Sequence, residues 1–308
     1  MKSEPFSVSD ISVIIVNYNG EHVLPDAIAS VLRLDPPPGE LVVVDNGSTD
    51  QSPLLITRWA EKDSRVRPIL AGENLGVAGG RNLAAAYAEG RVLAFLDSDG
   101  IAEATWLTES LKALNQDPLA GAVAPLVLLD DGETINGAGS FLDVDGHGYD
   151  RFFGEPEAEH AAKWASLAGT VCDYPMGCGM VVRLPGLERV WPLDETLPKW
   201  HDDTELGLRI RRLGYRTIFW PAARVRHRWG HANPADAYAK HWMAEEARLR
   251  LLVKYFPWSR VVTNLLHLGV HGISGLRRRP QMWQETQELF RRIWRDWNDL
   301  TLIRREWA

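Results

Sequence analysis

Apolar runs and polar turns alternate through the first 120 positions of the chain. Ile11-Ser12-Val13-Ile14-Ile15-Val16 is rich in β-branched residues and reads as a strand buried on both faces; Asn17-Tyr18-Asn19-Gly20 closes it. A helix is predicted from about Leu24 to Leu32, stopped by Pro36-Pro37-Pro38. A second buried strand, Glu40 to Val44, runs into Asp45-Asn46-Gly47-Ser48-Thr49-Asp50, a turn and helix-start signal. The helix after it extends to about Lys62, and Val66 to Leu70 reads as a third strand. Next comes the glycine-rich loop from Glu73 to Asn82, opening into an alanine-rich helix that ends near Gly90. The fourth strand then leads into Asp97-Ser98-Asp99-Gly100. Strands alternating with helices predict an α/β fold with a doubly wound, mostly parallel sheet. In such a sheet, ligands bind beyond the carboxyl ends of the strands.

After Gly121 the rhythm changes. Ala122 to Leu129 reads as a strand, and 130–168 as long loops and short strands without a clear period. Small residues around Gly177 precede an apolar strand ending near Arg183. A helix with acidic residues in its first turn starts around Asp202, and Gly214 ends it after Arg211-Arg212. Thr217 to Trp220 and Ala223 to His227 read as two short strands, and the chain from Pro234 reads as helical. These shifts place a catalytic domain at 1–234, with halves at about 1–120 and 121–234, and a helical region at 235–308.

Composition narrows the class. With 45% hydrophobic and 24% charged residues, the 308-residue chain is ordinary for a globular protein. Two cysteines form neither a zinc pattern nor a disulfide framework, so a reduced, cytoplasmic setting is expected. Met1 to Asp10 lacks the apolar core of a signal peptide. No apolar run reaches the roughly 20 residues of a membrane span; Val261 to Leu276 comes nearest, interrupted by Asn264, His267 and His271. From Ala235 onward there are 13 Lys/Arg and 8 Asp/Glu, a balance of +5, so a chain of net charge −7 carries −12 before that point. An acidic body argues against nucleic acid as a partner. The basic, Trp-rich tail suits an anionic surface. Arg277-Arg278-Arg279 precedes Met282, Trp283, Leu289, Phe290, Ile293, Trp294, Trp297 and Leu300, which fall on one side of a helix with Arg291, Arg292 and Arg295 nearby. This predicts peripheral contact with the inner face of a cell membrane; packing on the body or on a second subunit, in an oligomer, is the alternative.

The chemistry concentrates at strand ends. In extended chain, Asp97 and Asp99 point to one side and converge. Two clustered carboxylates repel unless a cation lies between them, and Mg²⁺ or Mn²⁺ prefers oxygen ligands and bridges to phosphates. The plainer reading is that Ser98 or Asp99 caps a following helix. The loop 76–82 opens at a helix N-terminus, where N–H groups suit phosphate oxygens, but it is neither GxGxxG nor a P-loop.

Taken in order, Val16-Asn17-Tyr18-Asn19, Asp45-Asn46-Gly47-Ser48-Thr49-Asp50, Asn74-Leu75-Gly76, Asp97-Ser98-Asp99, Asp202-Asp203 and His227 resemble a family 2 glycosyltransferase with the GT-A (nucleotide-diphospho-sugar transferase) fold. The likeness spans about Ile11 to Tyr255 and is strongest to the bacterial rhamnosyltransferase and galactofuranosyltransferase branch. It implies a metal-dependent, inverting enzyme of cell-surface polysaccharide synthesis. The donor would be a nucleotide sugar, dTDP-rhamnose or a UDP-sugar, and the acceptor a saccharide or lipid-linked saccharide. By the same resemblance, Val16, Tyr18, Asp45, Gly76, Arg81 and Asp97 bind the nucleotide, with Tyr18 packed on the base and Asp45 accepting from its N–H. Asp97, Asp99 and His227 hold Mn²⁺ or Mg²⁺. Asp203 is the general base, and Trp200 and Asp202 meet the acceptor. Relatives commonly carry Glu-Asp where this chain has Asp202-Asp203. Asp45 as an Asx turn with Asn46-Gly47, and His227 as a structural histidine, are the alternatives at those positions. Two other functions stay open at this point: a sugar-nucleotidyltransferase, which would carry a basic triphosphate loop that Asn17 to Gly20 is not, and a non-catalytic carbohydrate-binding protein.

Overall fold

The computed structural model describes residues 4–197, 200–228, 237–275 and 280–307. In chain order the elements are β1 (Ile11–Asn17), α1 (Leu24–Leu32), β2 (Glu40–Asp45), α2 (Ser52–Lys62), β3 (Val66–Leu70), α3 (Gly76–Tyr87), β4 (Val92–Asp97), β5 (Gly100–Ala102), α4 (Trp106–Gln116), β6 (Ala120–Leu129), β7 (Ile135–Gly137), β8 (Ser140–Leu142), β9 (Gly148–Asp150), α5 (Trp164–Leu167), β10 (Val171–Cys172), β11 (Val181–Arg183), α6 (Asp202–Arg212), β12 (Arg216–His227), α7 (Ala237–Tyr255), α8 (Trp258–Gly275), α9 (Pro280–Arg295) and α10 (Trp297–Glu306). Contacts divide the chain into one unit of 1–141, 150–195 and 202–231 and a second of 142–149, 196–201 and 232–308.

The first unit holds a sheet in the order β10-β12-β6-β11-β4-β1-β2-β3. Strands β1 to β4 pair in parallel, as their buried apolar runs predict. Ile11, Val13 and Ile15 enter one core and Ile14 the other, so β1 is covered on both faces. The sheet is mixed where the alternation ended: β11 is antiparallel to both β4 and β6. The two short strands expected at 217–220 and 223–227 form one strand, β12, with a register shift between Trp220 and Arg224. An unpredicted strand, β5, follows the acidic pair and runs antiparallel to β12.

α6 is held on several sides. Its first turn is acidic and its last turn basic, matching the helix dipole, and buried Arg209 donates to the carbonyls of Val190 and Pro192. Gly207 lies so close to the preceding segment that a Cβ would stand 2.4 Å from the Asp173 carbonyl oxygen. Gly207→Ala is therefore expected to lower stability by about 1–3 kcal/mol, the overpacking outweighing the helix propensity gained. Thermal unfolding checks this, with an unchanged midpoint counting against it.

In the second unit, α7 to α10 bury Leu249, Leu252, Val253, Val261, Leu289, Ile293 and Leu300 in one core. This corrects the membrane-facing side expected from the sequence. Leu289, Ile293 and Leu300 are at most 4% exposed, because the neighbouring helices take up the apolar stripe of α9 and α10. Trp294 of that set remains exposed. Arg277-Arg278-Arg279 lies outside the described residues. No described helix is long and apolar enough to cross a membrane.

Candidate active site

Strand register assembles the rim. Val16 pairs with Asp97 across β1 and β4, and Asn17 with Asp45 across β1 and β2, so these chain ends lie abreast. The loops beyond them are stitched together. Ser48 Oγ accepts from the Asn19 N–H at 2.9 Å, and Asn46 accepts from the Leu75 N–H and donates to the Gly76 carbonyl. Tyr18 stands half exposed at this edge. Asp45 is buried; its Oδ2 accepts from the Ser48 N–H at 3.0 Å, the Asx-turn geometry. Its other oxygen, Oδ1, is buried without a hydrogen-bond partner among the described residues, as is Asn17 Oδ1. Buried orphan acceptors mark places where a donor is expected. The Gly76 N–H, at the start of α3, is already engaged by Asn74 Oδ1. Val16 is partly buried and packs so tightly on α3 that a Cβ on Gly80 would meet it at 2.6 Å.

The acidic pair ends β4, and β12 delivers His227 to it through pairing with Gly100. His227 Nε2 lies 3.3 Å from Asp99 Oδ1 and 3.9 Å from Asp97 Oδ2. Its Nδ1 is 2.8 Å from Asn136 Oδ1, which orients the ring and directs Nε2 at the carboxylates. Burial disfavours the imidazolium, yet the hydrogen bond to Asp99 and the two nearby charges raise the His227 pKa above its ordinary value. Two carboxylates and one oriented imidazole form a donor set that fits Mn²⁺ or Mg²⁺. Asn136 and Cys178 were not foreseen. Asn136 lies in the three-residue strand β7, too short to show a period and without a motif around it. The Cys178 thiol lies within 4.8 Å of ligand atoms of Asp97 and His227, and burial pushes its pKa up.

Arg81 is where the expected roles change. Its guanidinium is buried, 2.5 Å from Asp202 and 3.2 Å from Asp97. The side chain expected to meet the diphosphate is thus engaged by two carboxylates. Asp202, expected at the acceptor, is itself buried and turned onto Arg81. Asp203, one residue on, faces a different way. Its Oδ2 accepts from the Gly177 N–H at 2.9 Å and its Oδ1 from the Thr204 N–H at 2.7 Å. A Cβ on Gly177 would stand 2.7 Å from the Arg81 guanidinium, so a side chain there would have to displace that buried group. Burial first, and the Asp202 charge second, push the Asp203 carboxyl up to about 7, against the opposing pull of Arg81. A carboxylate of that basicity suits proton abstraction near neutral pH. Trp200 belongs to the second unit, is 37% exposed and adopts φ 60°.

Comparison with known proteins gives the family and the fold. Residues 12–177 match the model of glycosyl transferase family 2. An uncharacterized glycosyltransferase of Nostoc sp. is 32% identical over 92% of this chain and 86% of its own. The UDP-Glc:α-D-GlcNAc-diphosphoundecaprenol β-1,3-glucosyltransferase of Escherichia coli is 37% identical over 33% of this chain and 38% of its own. Among solved structures, GalNAc-T7 with UDP, GalNAc and Mn²⁺ superposes with a TM-score of 0.61, at 17% identity over 79% of this chain and 47% of that one. That likeness is one of fold, the GT-A fold. The matches establish a family rather than its rhamnosyl–galactofuranosyl branch. They set aside the nucleotidyltransferase and the non-catalytic readings: the chain belongs to glycosyl transferase family 2 and is a glycosyltransferase.

Proposed function

We propose that this glycosyltransferase inverts the anomeric centre of a pyrimidine nucleoside-diphosphate sugar, a UDP- or dTDP-sugar, while passing the sugar to a lipid-linked saccharide. The observation that carries the reading is the Asp203 carboxylate, raised to about 7, in one cluster with Arg81, Asp202 and the hard-cation donors Asp97, Asp99 and His227. Asp203 takes the proton of the acceptor hydroxyl as its oxygen attacks C1 and the diphosphate leaves from the opposite face. Arg81 and Asp202 position this machinery, and Arg81 ties it to Asp97. A bound Mn²⁺ or Mg²⁺ would neutralise charge developing on the diphosphate.

The orphan Oδ1 of Asp45 supports a base that carries an imide N–H, as uracil and thymine do, and exposed Tyr18 offers a face for it. The acceptor class takes its support from the diphosphoundecaprenol-linked substrate in the name of the Escherichia coli relative. Incubation with Mn²⁺ and a panel of UDP-, dTDP- and GDP-sugars, without acceptor, tests the donor reading through slow release of nucleoside diphosphate. Hydrolysis of a UDP- or dTDP-sugar is expected. A preference for a GDP-sugar would overturn the assignment of Asp45, and no release from any donor would overturn the donor class.

A further inference from the structure

The chain is tied down on both sides of Cys178. Before it, the Gly177 N–H donates to Asp203 Oδ2 at 2.9 Å. After it, the Gly179 N–H donates to the Phe95 carbonyl at 2.8 Å, and the Gly179 carbonyl accepts from Trp106 Nε1 at 2.8 Å. Gly179 takes φ 92°, and a Cβ there would stand 2.7 Å from Val225, so glycine lets the backbone lie this close to β12. These contacts hold the Cys178 side chain, 1% exposed, beside Asp97 at the end of β4.

Three kinds of donor meet there. The Cys178 sulfur, a carboxylate oxygen of Asp97 and a ring nitrogen of His227 lie within 4.8 Å of one another. His227 Nε2 is 3.9 Å from Asp97 Oδ2, and Asn136 on Nδ1 holds the ring in that direction. A contraction of about 1 Å would bring the three atoms onto one ion at the roughly 2.0–2.3 Å of Zn–N, Zn–O and Zn–S bonds. The Asp97 side chain is 38% exposed, which gives an ion a way in. Donor type then selects the ion. Carboxylate oxygens suit Mg²⁺ and Mn²⁺, whereas imidazole and thiolate together suit Zn²⁺. The other cysteine, Cys172, is buried in a separate core and donates to the Thr217 carbonyl.

We propose that Cys178 is a metal ligand, and that Asp97, Cys178 and His227 hold Zn²⁺ in competition with Mn²⁺ or Mg²⁺ on the same carboxylate. As the Zn–S bond forms, the cation takes the place of the thiol proton, which passes to solvent. Three protein donors leave the fourth position of a tetrahedral ion to an oxygen of solvent or of the donor diphosphate. The inference rests on the metal site proposed above and adds to it a sulfur donor and a second cation.

Co²⁺ added to the metal-free, reduced full chain tests the proposal. Co²⁺ occupies tetrahedral zinc sites, and a cobalt–thiolate bond gives a charge-transfer band in the near ultraviolet that oxygen and nitrogen donors do not. The band is expected in the unaltered chain and in Cys172→Ala, to be displaced by Zn²⁺, and to be missing in Cys178→Ala. The chain has two cysteines, so the Cys172→Ala protein assigns the band without any change at the site. By calorimetry, Cys178→Ala should bind Zn²⁺ more than about tenfold more weakly, at least the loss that an outer-shell partner causes, while Mn²⁺ affinity changes little. Absence of the band from the unaltered chain, a band that follows Cys172, or equal losses of Zn²⁺ and Mn²⁺ affinity would overturn the proposal. Mn²⁺ binding without a cobalt–sulfur band would overturn it and leave the metal site of the catalytic reading in place. Failure of every ion to bind would remove that site as well.

Discussion

Replacing Asp203 by Asn is expected to preserve donor binding and slow sugar transfer by about 10²–10⁴-fold, the usual contribution of a general base. The substitution keeps the shape of the side chain and removes its basicity. Donor affinity should survive because Asp203 is held by backbone N–H groups of Gly177 and Thr204 rather than by the rim of β1 and β2. A pH profile gives a second readout. A base works in its deprotonated form, and burial with the adjacent Asp202 charge raises this carboxyl to about 7. Transfer by the unaltered enzyme should therefore rise with pH through about 7, and be lost as pH falls below it. In the Asn variant the residual rate should lose that step. Near-normal transfer by the variant, or a product retaining the donor's configuration at C1, would remove Asp203 from this role.

Asp99→Ala is expected to weaken Mn²⁺ binding and reduce turnover by about 10²-fold or more, because electrophilic stabilisation of a leaving diphosphate contributes several kcal/mol. Asp99 is the acid nearest His227 Nε2, at 3.3 Å, and its side chain is 31% exposed. Its removal takes one donor from the site and frees His227 from the hydrogen bond that raises its pKa. The fold should survive, since Asp99 lies beyond β4 and outside the apolar cores. Mn²⁺ titration followed by calorimetry reports the site directly, apart from activity. Unchanged Mn²⁺ affinity in the variant, or full turnover of the unaltered enzyme in excess EDTA, would be incompatible with this assignment.

Much of the first 120 residues was legible as pattern. The strands at 11–17, 40–45, 66–70 and 92–97 are short, apolar and bounded by turn residues, so their elements and their parallel order follow from local signals. The convergence of Asp97 and Asp99 is equally local, since i and i+2 share a side in extended chain. The second half was less legible. β11 has three residues and β5 three, too few to show a period, and their antiparallel pairing depends on strands distant in sequence.

What the sequence determines, then, is which elements form and which residue types stand at their ends, because propensity, periodicity and turn chemistry act over a few neighbouring residues. Partnership was decided only by the tertiary structure. Nothing local distinguishes Asp202 from Asp203, but neighbours on a helix point about 100° apart. Once α6 is docked, one carboxylate meets Arg81, 121 positions away in sequence, and the other meets the N–H of Gly177. The same holds for the helical region. The amphipathic stripe of α9 states that one face must leave water, and the structure covers it with α7 and α8. Val262, Leu266, Val270 and Ile273 of α8 stay exposed, because Val261, Leu265 and Leu268 take the side of that helix that meets the core.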